Sequence, residues 1–185
     1  MTWSTCILDE STWPLFAELV DRNNRVYGGC WCMGYHSERP SGAQGRHDAK
    51  LRRVREDGTH ASLVLDGDGI AQAWAQWGGA EELDGFKHQR EYDKEPPRVP
   101  DWRITCVFVD KAHRGQGLAR RAVEDAMAQI EARGGGVVEA ISEETDGRVA
   151  QQRFPFSLTA EVFDSLGFQR IRKVGKHAWI VQRRV

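Results

Sequence analysis

The sequence predicts an α/β (α+β) domain: a central mixed, mostly antiparallel sheet flanked by helices. Three observations carry that expectation. Short apolar or alternating runs of strand length recur at residues 5–8, 61–65, 70–77, 102–109, 137–141, 168–174 and 178–181. Between several of them lie segments whose apolar residues repeat at helical spacing. Asp66-Gly67-Asp68-Gly69 is a strong hairpin signal, so neighbouring strands pair antiparallel.

With 185 residues the chain can bury a full core, and residues 1–185 are read as a single domain. A net charge of −1 gives no global field toward nucleic acid or an anionic membrane. No apolar run reaches the length of a membrane span, and the first residues lack a signal peptide's basic and apolar regions. Cys6, Cys30, Cys32 and Cys106 are too few and too uneven for a disulfide framework. The expectation is a reduced, cytoplasmic protein without nucleic-acid or membrane partners. Seven tryptophans are many for this length, and some are expected to line a pocket.

Residues 5–8 alternate weakly and read as a first strand. Ser11 or Thr12 then caps a helix with Pro14 in its first turn, where the missing N–H costs nothing. Leu15, Phe16, Leu19 and Val20 form its apolar stripe, and Asn23-Asn24 end it. Residues 27–36, Tyr-Gly-Gly-Cys-Trp-Cys-Met-Gly-Tyr-His, fit neither period and read as a structured loop. Cys30, Cys32 and His36 supply three metal-type ligands, one short of a tetrahedral site, and no second cluster completes it. The expectation is therefore no metal. Ser41 with Gln44 reads as a capping box opening a helix to about Glu56, with Arg46, His47, Lys50, Arg52, Arg53 and Arg55 as a solvated basic face or a surface that steers an anion. The stretch 79–100 is a polar, proline-bearing insertion, long for a plain loop and so a candidate for function. Its acids Glu81, Glu82 and Asp84 read as solvated. After the strand at 102–109, Leu118, Ala122, Val123, Ala126, Met127 and Ile130 make one apolar helix face, closed by Gly134-Gly135-Gly136. Residues 147–155 read as a loop, 158–166 as a short helix, and 168–181 as a closing hairpin over Gly175-Lys176.

The junction after the strand at 102–109 is the most informative stretch. Arg114, Gly115, Gln116, Gly117, Leu118 and Ala119 leave the backbone bare where free helix N–H groups point outward. Those N–H groups and the helix dipole make an anion site, and Arg114 adds a permanent cation. Neither the G-x-x-x-x-G-K-[ST] loop nor a dinucleotide-type G-x-G-x-x-G is present. The spacing Arg114-x-x-Gly117-x-Ala119 after an apolar strand resembles the acetyl-CoA pyrophosphate loop of the GNAT (Gcn5-related) N-acetyltransferases. The element order and Leu166-Gly167-Phe168 extend the resemblance over essentially the whole chain. Cys30-Trp31-Cys32, Trp102-x-x-Thr105-Cys106 and Val138-Glu139-Ala140 together look like a bacterial subgroup of that family.

The resemblance implies acetyl transfer from acetyl-CoA to an amine inside a ternary complex. It implies that residues 114–119 hold the pyrophosphate and that Val107, Phe108 and Val109 pair with the pantetheine arm. An amine needs a base, and Glu139, an acid inside an apolar strand, is the first candidate. The alternative for Glu139 is pairing with a neighbouring arginine. Glu143 and Glu144 are weaker candidates, and His113 reads as a loop residue. The family's thiolate-protonating tyrosine falls at Phe163, which has no hydroxyl, leaving Tyr35 and Ser157 as substitutes. Trp31, Met33, Tyr35 and Trp74 are expected around the acceptor, although core packing of Trp31 and Met33 is the competing reading. The expected acceptor is a small-molecule amine (metabolite, antibiotic or toxin). The alternatives are a protein N-terminus or lysine, or a CoA-binding regulatory module without efficient catalysis. Family members often pair, so a homodimer is an expectation as well.

Overall fold

The computed structural model describes residues 2–145 and 157–185. Seven strands, β1 (Ser4–Ile7), β2 (His60–Leu65), β3 (Ala71–Gly79), β4 (Trp102–Val109), β5 (Val137–Glu143), β6 (Gln169–Lys173) and β7 (Ala178–Arg184), form one sheet in the order β1-β2-β3-β4-β5-β7-β6. Every neighbouring pair is antiparallel except β4 and β5. Among the described residues, four helices longer than a single turn flank it: α1 (Trp13–Arg22), α2 (Gly42–Arg55), α3 (Leu118–Ala132) and α4 (Ala160–Ser165). Element order and the mixed sheet agree with the sequence reading. The loop expected at 147–155 lies outside the described residues.

Each face of the sheet carries its own core. On one face α3 lays Leu118, Ala122, Val123, Ala126, Met127 and Ile130 against Ala75, Trp77, Ile104 and Val138, joined by Phe163 of α4. On the other, Phe16, Leu19 and Val20 of α1 meet Leu63, Trp74, Cys106 and Phe108 together with Trp31 and Met33. Between them the two faces explain why β2 and β3 read as nearly continuous apolar runs.

Two features of β4 position the site. Ala75 pairs with Val107 and Trp77 with Ile104, so two steps on β3 oppose three on β4. This bulge at Thr105–Cys106 turns Ile104 and Val107 toward α3 while Cys106 and Phe108 face α1. In addition, β4 pairs with β5 only at Trp102–Val138 and Arg103–Glu139. Beyond those two pairs the strands part, leaving the β5-facing edge of residues 104–109 without a ladder.

Local readings fared unevenly. Asp66 anchors the hairpin turn by accepting from the backbone N–H groups of Asp68 and Ile70, both at 3.0 Å, as its sequence predicts. The capping box at α2 does not form, because Gln44 donates to Asp48 at 2.8 Å within the helix. Lys50, assigned to the basic face, is 1% exposed and donates to Thr59 Oγ1 at 2.8 Å. Burial and crowding thus place a cation in the apolar stripe of α2, where helical periodicity cannot distinguish it from its neighbours. Among the described residues, no helix is long and apolar enough to cross a membrane.

Candidate active site

The anion loop is built as its glycines suggest. A short 3-10 turn, Lys111–His113, is capped by Asp110, whose carboxylate accepts from Ala112 N at 2.8 Å. Arg22 and Asn23 of the α1 end donate to the same carboxylate at 3.0 and 2.9 Å, tying the loop's start to the opposite face. Gly115 and Gly117 follow with φ of 78° and 77°, and a β-carbon at either would meet nothing within 4 Å. Gly117 is the N-cap of α3. Bare backbone, free helix N–H groups and the exposed Arg114 therefore converge on open space, which fits a pyrophosphate.

From there the unpaired edge of β4 leads into the gap between β4 and β5. Val107, Phe108 and Val109 offer main-chain groups along it, while the Phe108 ring turns away and stacks on Trp74 at 4.6 Å. At the inner end of the gap lies a cavity of about 560 Å³, counted to its open mouth. Thr105 and Ala140 line it from the two strands, Glu143 from the end of β5, and Tyr35, Phe86, Lys87, His88 and Ser157 from loops. The hydroxyls of Thr105 and Ser157 are buried there without a hydrogen-bond partner among the described residues. Orphaned buried hydroxyls facing a void are what a polar ligand would satisfy.

The insertion at 79–100 forms the outer wall, and Glu139 anchors it. This carboxylate, 0% exposed, accepts from Arg103 Nε at 3.2 Å, from the Tyr92 hydroxyl at 3.1 Å and from Gln182 Nε2 at 2.9 Å. Arg103 also donates to the carbonyls of Ala80 and Leu83 at 2.9 and 3.0 Å, and its guanidinium lies 4.8 Å from the Phe86 ring centre. Gln182 reaches Arg98 O at 2.9 Å, and Arg172 the carbonyls of Glu91 and Tyr92, both at 2.9 Å. Burial, with Glu139 beside it, pushes the Tyr92 phenol up to about 12, so it keeps the proton it donates. Both oxygens of Glu139 are thereby committed. Glu139 thus lines the cavity as the arginine-paired acid that the sequence offered as one of its two readings.

Several expected residues sit elsewhere. Trp31, Met33 and Trp74 do not line the cavity: they are 4%, 1% and 1% exposed, packed beneath α1. A positive φ of 52° at Trp31 turns its ring inward onto Trp13, 5.8 Å away. Of the four expected acceptor residues, Tyr35 alone reaches the cavity. Phe163 is fully buried in the α3-side core, its ring 4.8 Å from that of Phe168. Glu144 sits outside the cavity lining, where the Lys173 ammonium at 2.7 Å holds its carboxyl down at about 2. Glu82, read as solvated, is partly buried beside His60, 3.6 Å away. His36 Nδ1 donates to the Glu82 carbonyl (2.8 Å), its Nε2 faces Thr59 Oγ1 (3.3 Å), and burial pushes it down to about 3. Cys32 and Cys106 are both buried in the core beneath α1.

The sequence reading missed His88 and Phe86, which enter the cavity from the insertion. Its length was the signal available, and nothing in its composition marked these two positions.

A family model described as the acetyltransferase (GNAT) family matches residues 40–154. Among solved structures, arylalkylamine N-acetyltransferase 2 from Aedes aegypti superposes with TM-score 0.59 at 15% identity, covering 100% of this chain and 99% of its own. The ribosomal-protein-S18-alanine N-acetyltransferase from Escherichia coli gives 0.53 at 13%, covering 100% and 94%. A Salmonella typhimurium structure described with its cofactor acetyl-CoA gives 0.53 at 16%, covering 100% and 94%. At such identities the likeness concerns the fold. A comparison with curated proteins finds no match.

Proposed function

The chain belongs to the acetyltransferase (GNAT) family, and from that premise we propose that it acetylates the primary amine of a small molecule, using acetyl-CoA. The observation that carries the acceptor class is the wall formed by residues 80–98. Arg103, Glu139, Gln182 and Arg172 hold this segment at many points, and it encloses the cavity from the side where a polypeptide would need an open groove. The lining sets aliphatic and aromatic side chains beside a comparable number of polar and charged ones, which can orient a small polar ligand.

Acetyl-CoA supplies an activated thioester. Residues 114–119 would hold its pyrophosphate, and the free edge of Val107, Phe108 and Val109 its amide-bearing arm. A main-chain N–H at the β4 bulge would face the thioester oxygen where charge develops. The amine nitrogen attacks the carbonyl carbon, the C–N bond forms, the C–S bond breaks, and the amine proton passes to a group on the cavity wall. Two carboxylates line that wall: Glu139, held by Arg103, Tyr92 and Gln182, and Glu143, which Lys87 meets at 3.3 Å. Phe163 offers the departing thiolate nothing, whereas the hydroxyls of Tyr35 and Ser157 both line the cavity. Burial pushes the Tyr35 phenol well above its ordinary value, so it carries its proton at neutral pH.

CoA release from acetyl-CoA, measured with a panel of small primary amines and a panel of peptides with free N-termini and lysines, tests the reading. Turnover is expected on amines. Turnover confined to peptides would replace the acceptor class, and tight acetyl-CoA binding without turnover on either panel would favour a binding module.

A further inference from the structure

We propose that His88, delivered by the insertion, is the group that takes the proton from the acceptor amine, with Glu143 facing it. The inference rests on the acetyl-transfer reading and names the base for that same site.

Three separate observations meet at this residue. His88 lines the cavity that also contains Thr105, Glu143 and Ser157. Its backbone is left-handed, φ 72° and ψ 17°, a conformation that costs a non-glycine residue free energy and persists where the surroundings impose it. The surroundings here are substantial. His88 O accepts from the N–H groups of Glu91 and Tyr92 at 2.9 and 3.0 Å, opening the helical turn that carries Tyr92 to Glu139. Third, the imidazole rests on bare backbone. A β-carbon built at Gly175, in the β6–β7 turn, would lie 2.8 Å from His88 Cε1 and 3.1 Å from Nδ1. Gly175 itself has no left-handed φ, so the conformation of the turn does not require glycine there. Room for the ring does.

The electrostatics suit a base. Partial burial, then the adjacent Lys87 ammonium, lowers the imidazole below its usual 6.5, while Glu143 opposes them. The turn that packs on the ring also carries Lys176, which is exposed, and His177, which faces Glu144 at 3.7 Å. At neutral pH the ring is thus uncharged and able to accept. On attack the amine proton moves to an imidazole nitrogen, Glu143 stabilises the imidazolium, and the thiolate departs. Water then removes the proton.

The test uses His88→Gln and Gly175→Ala beside the wild type, with CoA release followed against pH. His88→Gln is expected to lose about 10²-fold in kcat, with the KM for acetyl-CoA unchanged. The wild-type acid limb, lying below pH 6.5, is expected to vanish in it. Gly175→Ala keeps the imidazole but displaces it, and a shift of about 1 Å is expected to cost up to about 10²-fold in kcat at a near-wild-type melting temperature. Lys87→Met is expected to move the acid limb to higher pH. Retained kcat in His88→Gln, or an unchanged acid limb in it, overturns the proposal. If no amine turns over, the small-amine reading fails on its own account, and slow hydrolysis of acetyl-CoA, with water as acceptor, decides His88: a drop in His88→Gln supports it and equal rates overturn it.

Discussion

Glu139 and Lys50 show what a buried charge does when the sequence places it in an apolar pattern. In the sequence Glu139 reads as a base or as an arginine-paired acid, and Lys50 as part of a basic helix face. Glu139 gathers Arg103, Tyr92 and Gln182, and breaking such a buried pair costs about 3–5 kcal/mol because it leaves the partner uncompensated. Glu139→Gln is therefore expected to lower the melting temperature and raise the KM for the amine, with acetyl-CoA affinity kept. A collapse of kcat at unchanged stability would mean that Glu139 takes the proton itself. Among the described residues no carboxylate pairs with Lys50, which donates to Thr59; burial pushes it down to about 8. An unfolded lysine holds its proton to about 10.4, so between about pH 8 and 10 the unfolded chain binds more protons and stability rises with pH through this group. Lys50→Met should remove that rise. Denaturant unfolding of both proteins across the interval checks it, and parallel curves would refute the buried, depressed lysine.

Elements were far more legible than side-chain roles. β4 was bounded at Trp102–Val109 from the sequence alone, and the apolar face of α3 was named residue for residue. Periodicity and glycine punctuation report on backbone and burial, which local composition largely determines. They do not say which of the two buried faces a tryptophan joins, and so Trp31 and Trp74 were assigned to a pocket instead of the α1 core. Nor could they show that the insertion folds back through Arg103 and Gln182, since those contacts span 20 to 84 residues of sequence. The loop into α3 was legible because its left-handed backbone calls for glycine at 115 and 117. Gly117→Asp adds a side chain at φ 77° and a negative charge where the proposed pyrophosphate would sit. Calorimetry should find acetyl-CoA affinity lost while the circular dichroism stays native. Unchanged affinity would remove the pyrophosphate from this loop.

On the scale of the molecule, the sheet is continuous at one end and split at the other. Trp102–Val138 and Arg103–Glu139 hold β4 to β5, and everything beyond them is open. Into that opening lead the glycine loop of residues 114–119 from one side and the insertion's wall from the other, with the cavity where they meet. The account therefore requires acetyl-CoA and the amine to be bound together before the acetyl group moves, with no acetylated protein between. Initial rates of CoA release with both substrates varied test this most directly, joined to intact-mass measurement of the protein in acetyl-CoA alone. Converging double-reciprocal lines and an unmodified chain are expected. Parallel lines, with an acetyl group on the protein before any amine is added, would contradict it.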